Sequence, residues 1–119
     1  MSNRNKSVAQ YEGKTLLAKY TSIANAAFLT EAQPAHIGKV ANGLRNSAGG
    51  YGWKFTNNSN RLSKNVPGIL QIDTDTDEVV AVYRDVDTAA TLSGLSATKI
   101  NRVLTGSSKS VSGYTFLAA

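Results

Sequence analysis

No cysteine occurs among the 119 residues, which excludes a disulfide framework, a thiol nucleophile and any cysteine-based zinc site. The single histidine, His36, excludes a histidine-rich metal centre. No apolar run approaches the roughly 18 residues that a membrane-spanning helix requires. The stretch Met1–Gln10 is polar and has no apolar core, so no secretory signal is expected. Carboxylates cluster only at Asp73–Glu78 (DTDTDE). Read from Asp73 as a calcium loop, the sixth position is Glu78 instead of glycine and the twelfth is Arg84 instead of an acid, so the motif fails and a solvated acidic turn is expected. A soluble, intracellular chain is expected, with no metal, no cofactor, no small-molecule substrate and no membrane partner.

What the chain does have is an internal repeat. Ser22–Gly43 (SIANAAFLTEAQPAHIGKVANG) recurs 63 residues later as Asp85–Gly106 (DVDTAATLSGLSATKINRVLTG). Ala26, Ala27, Leu29, Ile37, Val40 and Gly43 return as Ala89, Ala90, Leu92, Ile100, Val103 and Gly106, and Lys39 returns as Arg102. A repeat sets the unit of folding, here two units of about 50 residues, a size at which one core is only marginally stable. Charge divides unevenly between them. Residues 1–68 hold nine Lys/Arg against Glu12 and Glu31, a net +7, whereas residues 69–119 have a net charge of −2. The first half is where a polyanion would be gripped.

Each copy reads β-β-α-α-β. Val8–Tyr11 and Leu16–Tyr20 flank the turn Glu12-Gly13-Lys14, and Ile69–Ile72 and Val79–Tyr83 flank the acidic turn. The second turn is two residues longer, because Ile69 matches Val8 at an offset of 61 while later positions match at 63. Ser22 and Asp85 are N-cap residues for a first helix, followed by apolar residues at helical spacing. Gly94 suits a tight turn into the second helix; the matching position in the first copy is Glu31, a departure from that pattern. The second helix starts at Pro34 in one copy and after Ser96 in the other, and ends near Gly43 or Gly106. A short strand with alternating aromatics follows, Tyr51/Trp53 or Tyr114/Phe116, expected to close the core against the hairpin.

The expected fold class is therefore α+β, two small units each with a helix-turn-helix on a short antiparallel sheet. The expected boundaries are a basic N-terminal arm at 1–7, a first repeat at 8–55, a linker at 56–68 and a second repeat at 69–119.

Ile37, Val40 and Ala41, matched by Ile100, Val103 and Leu104, make the buried stripe of each second helix. The outward side carries Ala35, His36, Lys39 and Asn42 in one copy and Thr98, Lys99, Asn101 and Arg102 in the other. Lysine and arginine suit guanine edges or phosphates, asparagine suits adenine, and threonine suits a thymine methyl. These eight are the candidate base-contacting residues. Arg4, Lys6, Arg45, Lys54, Arg61, Lys64 and Lys109 are the candidate phosphate-contacting residues.

The ordered set of the hairpin before Tyr20 and Tyr83, Ser22-Ile23-x-x-Ala26-Ala27, the Ile-x-x-Val of the second helix and Ser47-Ala48-Gly49-Gly50-Tyr51-Gly52-Trp53 resembles the modular DNA-binding repeat of phage and intron-encoded homing endonucleases (the intron-encoded nuclease repeat, NUMOD1). The resemblance covers residues 8–55 and 69–117, with Phe116-Leu117 departing from Trp53-Lys54. It implies a second helix placed in the major groove and sequence-specific binding of double-stranded DNA. The nuclease part is missing. An HNH centre needs several histidines, and Gly50-Tyr51-Gly52 is not followed by the strands, Arg and Glu of a GIY-YIG domain.

The expectation is a non-enzymatic, phage- or mobile-element-type transcriptional regulator, a repressor by promoter or operator occupancy, in the cytoplasm or nucleoid of a bacterial host. A monomer and a homodimer both stay open. The alternatives are a DNA-targeting accessory subunit of a homing-type endonuclease and a module that binds a host protein.

Overall fold

The computed structural model of the chain describes residues 6–57 and 61–119. The described residues form an α+β protein of six strands and four helices, in two compact units, Met1–Asn58 and Ser59–Ala119. The first unit runs β1 (Val8–Glu12), β2 (Thr15–Tyr20), α1 (Ile23–Thr30), α2 (Pro34–Ala41) and β3 (Gly52–Phe55). The second runs β4 (Ile69–Asp73), β5 (Val79–Tyr83), α3 (Val86–Ser93), α4 (Ala97–Leu104) and β6 (Tyr114–Ala118).

Within the first unit β1 lies between β2 and β3, antiparallel to both. Within the second, β4 lies likewise between β5 and β6. Both hairpins shift register at the same place, after Gln10 and after Gln71. The two-residue difference between the copies is therefore confined to the turn. Glu12 faces Thr15 directly in one, while Asp73 N–H donates to Glu78 O across a longer loop in the other.

The strands of each unit bury a tyrosine–glutamine pair. Tyr20 Oη donates to Gln10 Oε1 at 2.6 Å, and Tyr83 Oη donates to Gln71 Oε1 at 2.5 Å. Both glutamines are fully buried, and the register partner of each across the sheet is an aromatic residue, Trp53 or Phe116. Burial, with Tyr114 as a lesser influence, holds the Tyr83 hydroxyl well above the ordinary tyrosine pKa, so it stays a donor. Trp53 is sealed in by its indole N–H, which donates to Ala48 O at 2.9 Å, and by the Tyr20 ring, whose centroid lies 5.9 Å away.

All four helices have eight residues, too short to persist alone in water. Caps and packing hold them. The Ser22 hydroxyl accepts from Asn25 N at 3.0 Å, and Asp85 Oδ1 accepts from Thr88 N at 2.7 Å, which also keeps the Asp85 carboxyl below its ordinary pKa. Ser96 occupies the cap position of α4 without a side-chain hydrogen bond. α2 packs on α1 and β3, and α4 packs on α3 and β6. Ile37, Ile100 and Val103 are the buried residues of the second helices, with Val40, Ala41 and Leu104 half-buried beside them.

The turn between the helices is left-handed in both units: Gly94 has φ 75° and Glu31 has φ 62°. Glu31 thus keeps the turn that its side chain disfavours, because the packing of α1 on α2 over-determines it. A side chain in this region costs about 1 kcal/mol, part of which glycine returns through its looser unfolded chain. Glu31→Gly is accordingly expected to stabilise the protein by about 0.5 kcal/mol and Gly94→Ala to destabilise it by about 1 kcal/mol, as read by urea unfolding.

Part of the segment assigned as linker is folded. Leu62 is buried, Leu62 N–H donates to Pro67 O at 2.9 Å and Ser63 N–H donates to Val66 O at 2.9 Å. At its other end Thr56 N–H donates to Ser7 O at 3.0 Å, so Thr56 closes the first unit. Residues 58–60 of the linker, and residues 1–5 of the N-terminal arm including Arg4, lie outside the described residues.

Candidate nucleic-acid interface

α4 separates its side chains cleanly. Ile100 and Val103 turn inward to β6 and α3, and Thr98, Lys99, Asn101 and Arg102 are all exposed. The backbone after α4 doubles back, with Gly106 at φ 87° and Ser108 N–H donating to Arg102 O at 3.1 Å. This return sets a serine-rich loop against the helix. Lys99, Arg102, Ser108, Ser110, Val111 and Ser112 together line a concavity of about 340 Å³. Two cations and three hydroxyls around one hollow supply donors of the kind that phosphate oxygens accept.

The loop is braced from the acidic hairpin. Thr74 donates twice to Gly113 O, from its N–H at 3.0 Å and from its hydroxyl at 2.9 Å. Val111 and Tyr114 exchange both backbone hydrogen bonds, which closes the turn through Ser112 (φ 53°) and Gly113. The start of the β4–β5 turn thus holds the loop that lines the concavity. Asp75 N–H donates to Asp73 Oδ1 at 2.8 Å within that turn. Among the described residues no group of three or more His, Asp or Glu side chains is placed to hold a metal ion.

In the first unit the corresponding helix face is plainer. Ala35 and Lys39 are exposed and His36 is half-buried on α2. Asn42 caps the helix and its Nδ2 donates to Gly38 O at 2.8 Å, so one of its amide donors serves its own backbone. Arg45 Nε donates to Ser47 O at 2.7 Å, which aims the guanidinium from the loop after α2. Arg45 and Lys54 meet at a second hollow of about 550 Å³, lined also by Tyr11 and Trp53. Lys39, the repeat counterpart of Arg102, lies outside it.

The remaining candidate phosphate contacts are scattered. Lys6 Nζ stands 5.2 Å from the Phe55 ring centroid and Lys54 Nζ 5.2 Å from that of Tyr11. Arg61 Nη2 donates to Lys64 O at 3.4 Å, and Lys64 and Lys109 are exposed. One cation of the basic half is not available to a ligand at all. Lys19 is buried and donates to Asn57 Oδ1 at 2.9 Å, and burial lowers its pKa.

The serines at 108, 110 and 112 and the ring of Tyr11 are functional candidates that the helix-face reading passes over. The signal for the serines was in plain view, a Ser-Ser-Lys-Ser-Val-Ser run directly after the second helix. Among the described residues no helix is long and apolar enough to cross a membrane. Comparison with protein-family models, with curated proteins and with solved structures gave no match.

Proposed function

We propose that the chain is a sequence-specific double-stranded DNA-binding protein of phage or mobile-element type, a transcriptional regulator that represses by occupying promoter or operator DNA. In this reading it is built from two copies of one β-β-α-α-β module, each presenting its second helix to a major groove, and it carries no catalytic centre. The observation that supports the reading is the α4 face. Four exposed side chains able to address base edges share a short helix, and two of them, Lys99 and Arg102, open onto a hydroxyl-lined hollow. Base contacts specify and phosphate contacts position, and Thr98 and Asn101 beside Lys99 and Arg102 supply both kinds. α2 repeats the placement with fewer side chains, in the unit with the greater positive charge.

Selection of bound duplexes from a random pool tests this. The expected result is enrichment of a defined motif, with affinity falling steeply with salt at about −0.9 in log–log slope per neutralised phosphate. A motif in two unlike halves assigns one half to each unit, and a palindrome indicates a homodimer. Recovery of unenriched sequence at every round would sink the proposal.

A further inference from the structure

The hollow of the first unit has a shape that its sister unit does not share by sequence. β-strand register and the helix ends align Tyr11 with Ile72, Gly52 with Thr115 and Ala41 with Leu104. Gly52 and Ala41 are thus small where the second unit has bulk, while the larger Tyr11 ring stands in the place of Ile72. Nothing in the backbone demands glycine at position 52. Its φ lies outside the left-handed region, and an added Cβ would meet Tyr11 Cβ at an ordinary 3.7 Å. The missing side chain opens space rather than relieving strain. The charged rim is also particular to this unit, since Arg45 and Lys54 correspond to Ser108 and Leu117.

We propose that this hollow takes an unstacked nucleotide of a single-stranded nucleic acid, its base against the Tyr11 ring and its phosphate on Arg45 and Lys54. The volume, about 550 Å³, falls within the range of small-ligand pockets, about 300–1,000 Å³. Its lining combines an aromatic ring with two cations, and Lys54 Nζ is held 5.2 Å from the ring centroid. A nucleotide satisfies both parts at once. The base replaces the ammonium at the ring, and the ammonium turns to the phosphate. An acidic peptide would use the cations and leave the ring without a partner. A base in a duplex has both faces covered by its neighbours, so the ligand is a single strand. This goes beyond the duplex reading, which uses Arg45 and Lys54 only as phosphate contacts, and it stands or falls on single-strand binding, which the selection of duplexes does not measure.

Trp53 is the only tryptophan and lines the hollow, so its fluorescence reports occupancy. The full chain is titrated with a four-residue oligothymidylate, with a G·C-rich duplex long enough to stay paired at the assay temperature and with a tetraglutamate peptide. The expected result is a saturable change with the single strand alone. Gly52→Thr and Lys54→Leu, which install the residues of the second unit, are each expected to weaken it at least tenfold. Lys54 is exposed, so the Lys54→Leu variant decides the matter even if Gly52→Thr disturbs the fold. No saturable change, an equal response to the duplex or the peptide, or undiminished binding by Lys54→Leu would each overturn the proposal.

Discussion

Arg102→Ala is expected to weaken binding to a selected duplex by about 1–3 kcal/mol, roughly 5- to 150-fold. The side chain is exposed on α4 and shares its hollow with Lys99 and three serines, so its removal leaves the Ile100 and Val103 contacts intact. A melting temperature within a degree or so of the parent is therefore expected, and a loss of affinity cannot be assigned to unfolding. The form of the loss tells which contact Arg102 makes. A guanine contact relaxes the preference at one position of the motif, whereas a phosphate contact weakens all sequences alike and lowers the salt slope by about 1. Lys39→Ala on α2 is expected to act in the same sense but more weakly, since its helix offers Ala35 and Gly38 where α4 offers Thr98 and Asn101. If fluorescence anisotropy finds Arg102→Ala within twofold of the parent, α4 is not the helix that meets DNA.

Much of this architecture was legible because the chain states it twice. Helix starts at Ser22 and Asp85 follow from their side-chain chemistry, and both hydroxyl and carboxylate make the expected cap bonds. The strands followed from β-branched and aromatic alternation, and the turn lengths followed from the change of offset. Glu31 was not legible. A position that reads as a departure from the glycine pattern keeps the left-handed turn, since the helix pair on either side decides the backbone and the residue bears the strain. The Tyr20–Gln10 and Tyr83–Gln71 pairs were equally hidden. Glutamine in a strand reads as a solvent-facing residue, and only the hydrogen bond to a buried hydroxyl explains why it lies inside.

The candidate interface was legible as a set of side chains but not as a surface. Helical spacing alone gives the outward face of α4, because Ile100 and Val103 must turn inward. It cannot show which loop the chain folds against that face. The serine hollow depends on the reversal at Gly106 and on Thr74 reaching Gly113 across 39 residues of sequence. Both are tertiary facts. The same holds for Lys54, which reads as one more surface cation and instead stands over the ring of Tyr11, a strand away.

Gly68→Ala is expected to destabilise the protein by about 2–4 kcal/mol, the sum of left-handed strain and a steric clash. Gly68 has φ 86°, and an added Cβ would lie 2.6 Å from Tyr83 O and 2.9 Å from Val82 Cγ1. The first of these is backbone and cannot swing aside. Leu62 Cβ, 3.2 Å away, closes the third side. The strain can be separated from the clash with Gly106→Ala, where φ is 87° but nothing stands within 4 Å of the new atom. That variant is expected to cost only about 1 kcal/mol. The difference between the two in urea unfolding therefore measures how firmly the segment entering β4 is pressed on β5. Should the two variants agree within about 0.5 kcal/mol, residues 62–68 do not pack as described. The position matters beyond stability. Gly68 O accepts from Ala119 N–H at 3.0 Å, which ties the start of β4 to the end of β6, and Tyr83 leads directly into the Asp85 cap of α3. A side chain at 68 would push on the strand from which the helix pair is suspended. Gly68→Ala should accordingly lose duplex affinity in parallel with stability, on warming and at lower temperatures than the parent, while Arg102→Ala loses affinity at every temperature and keeps its fold.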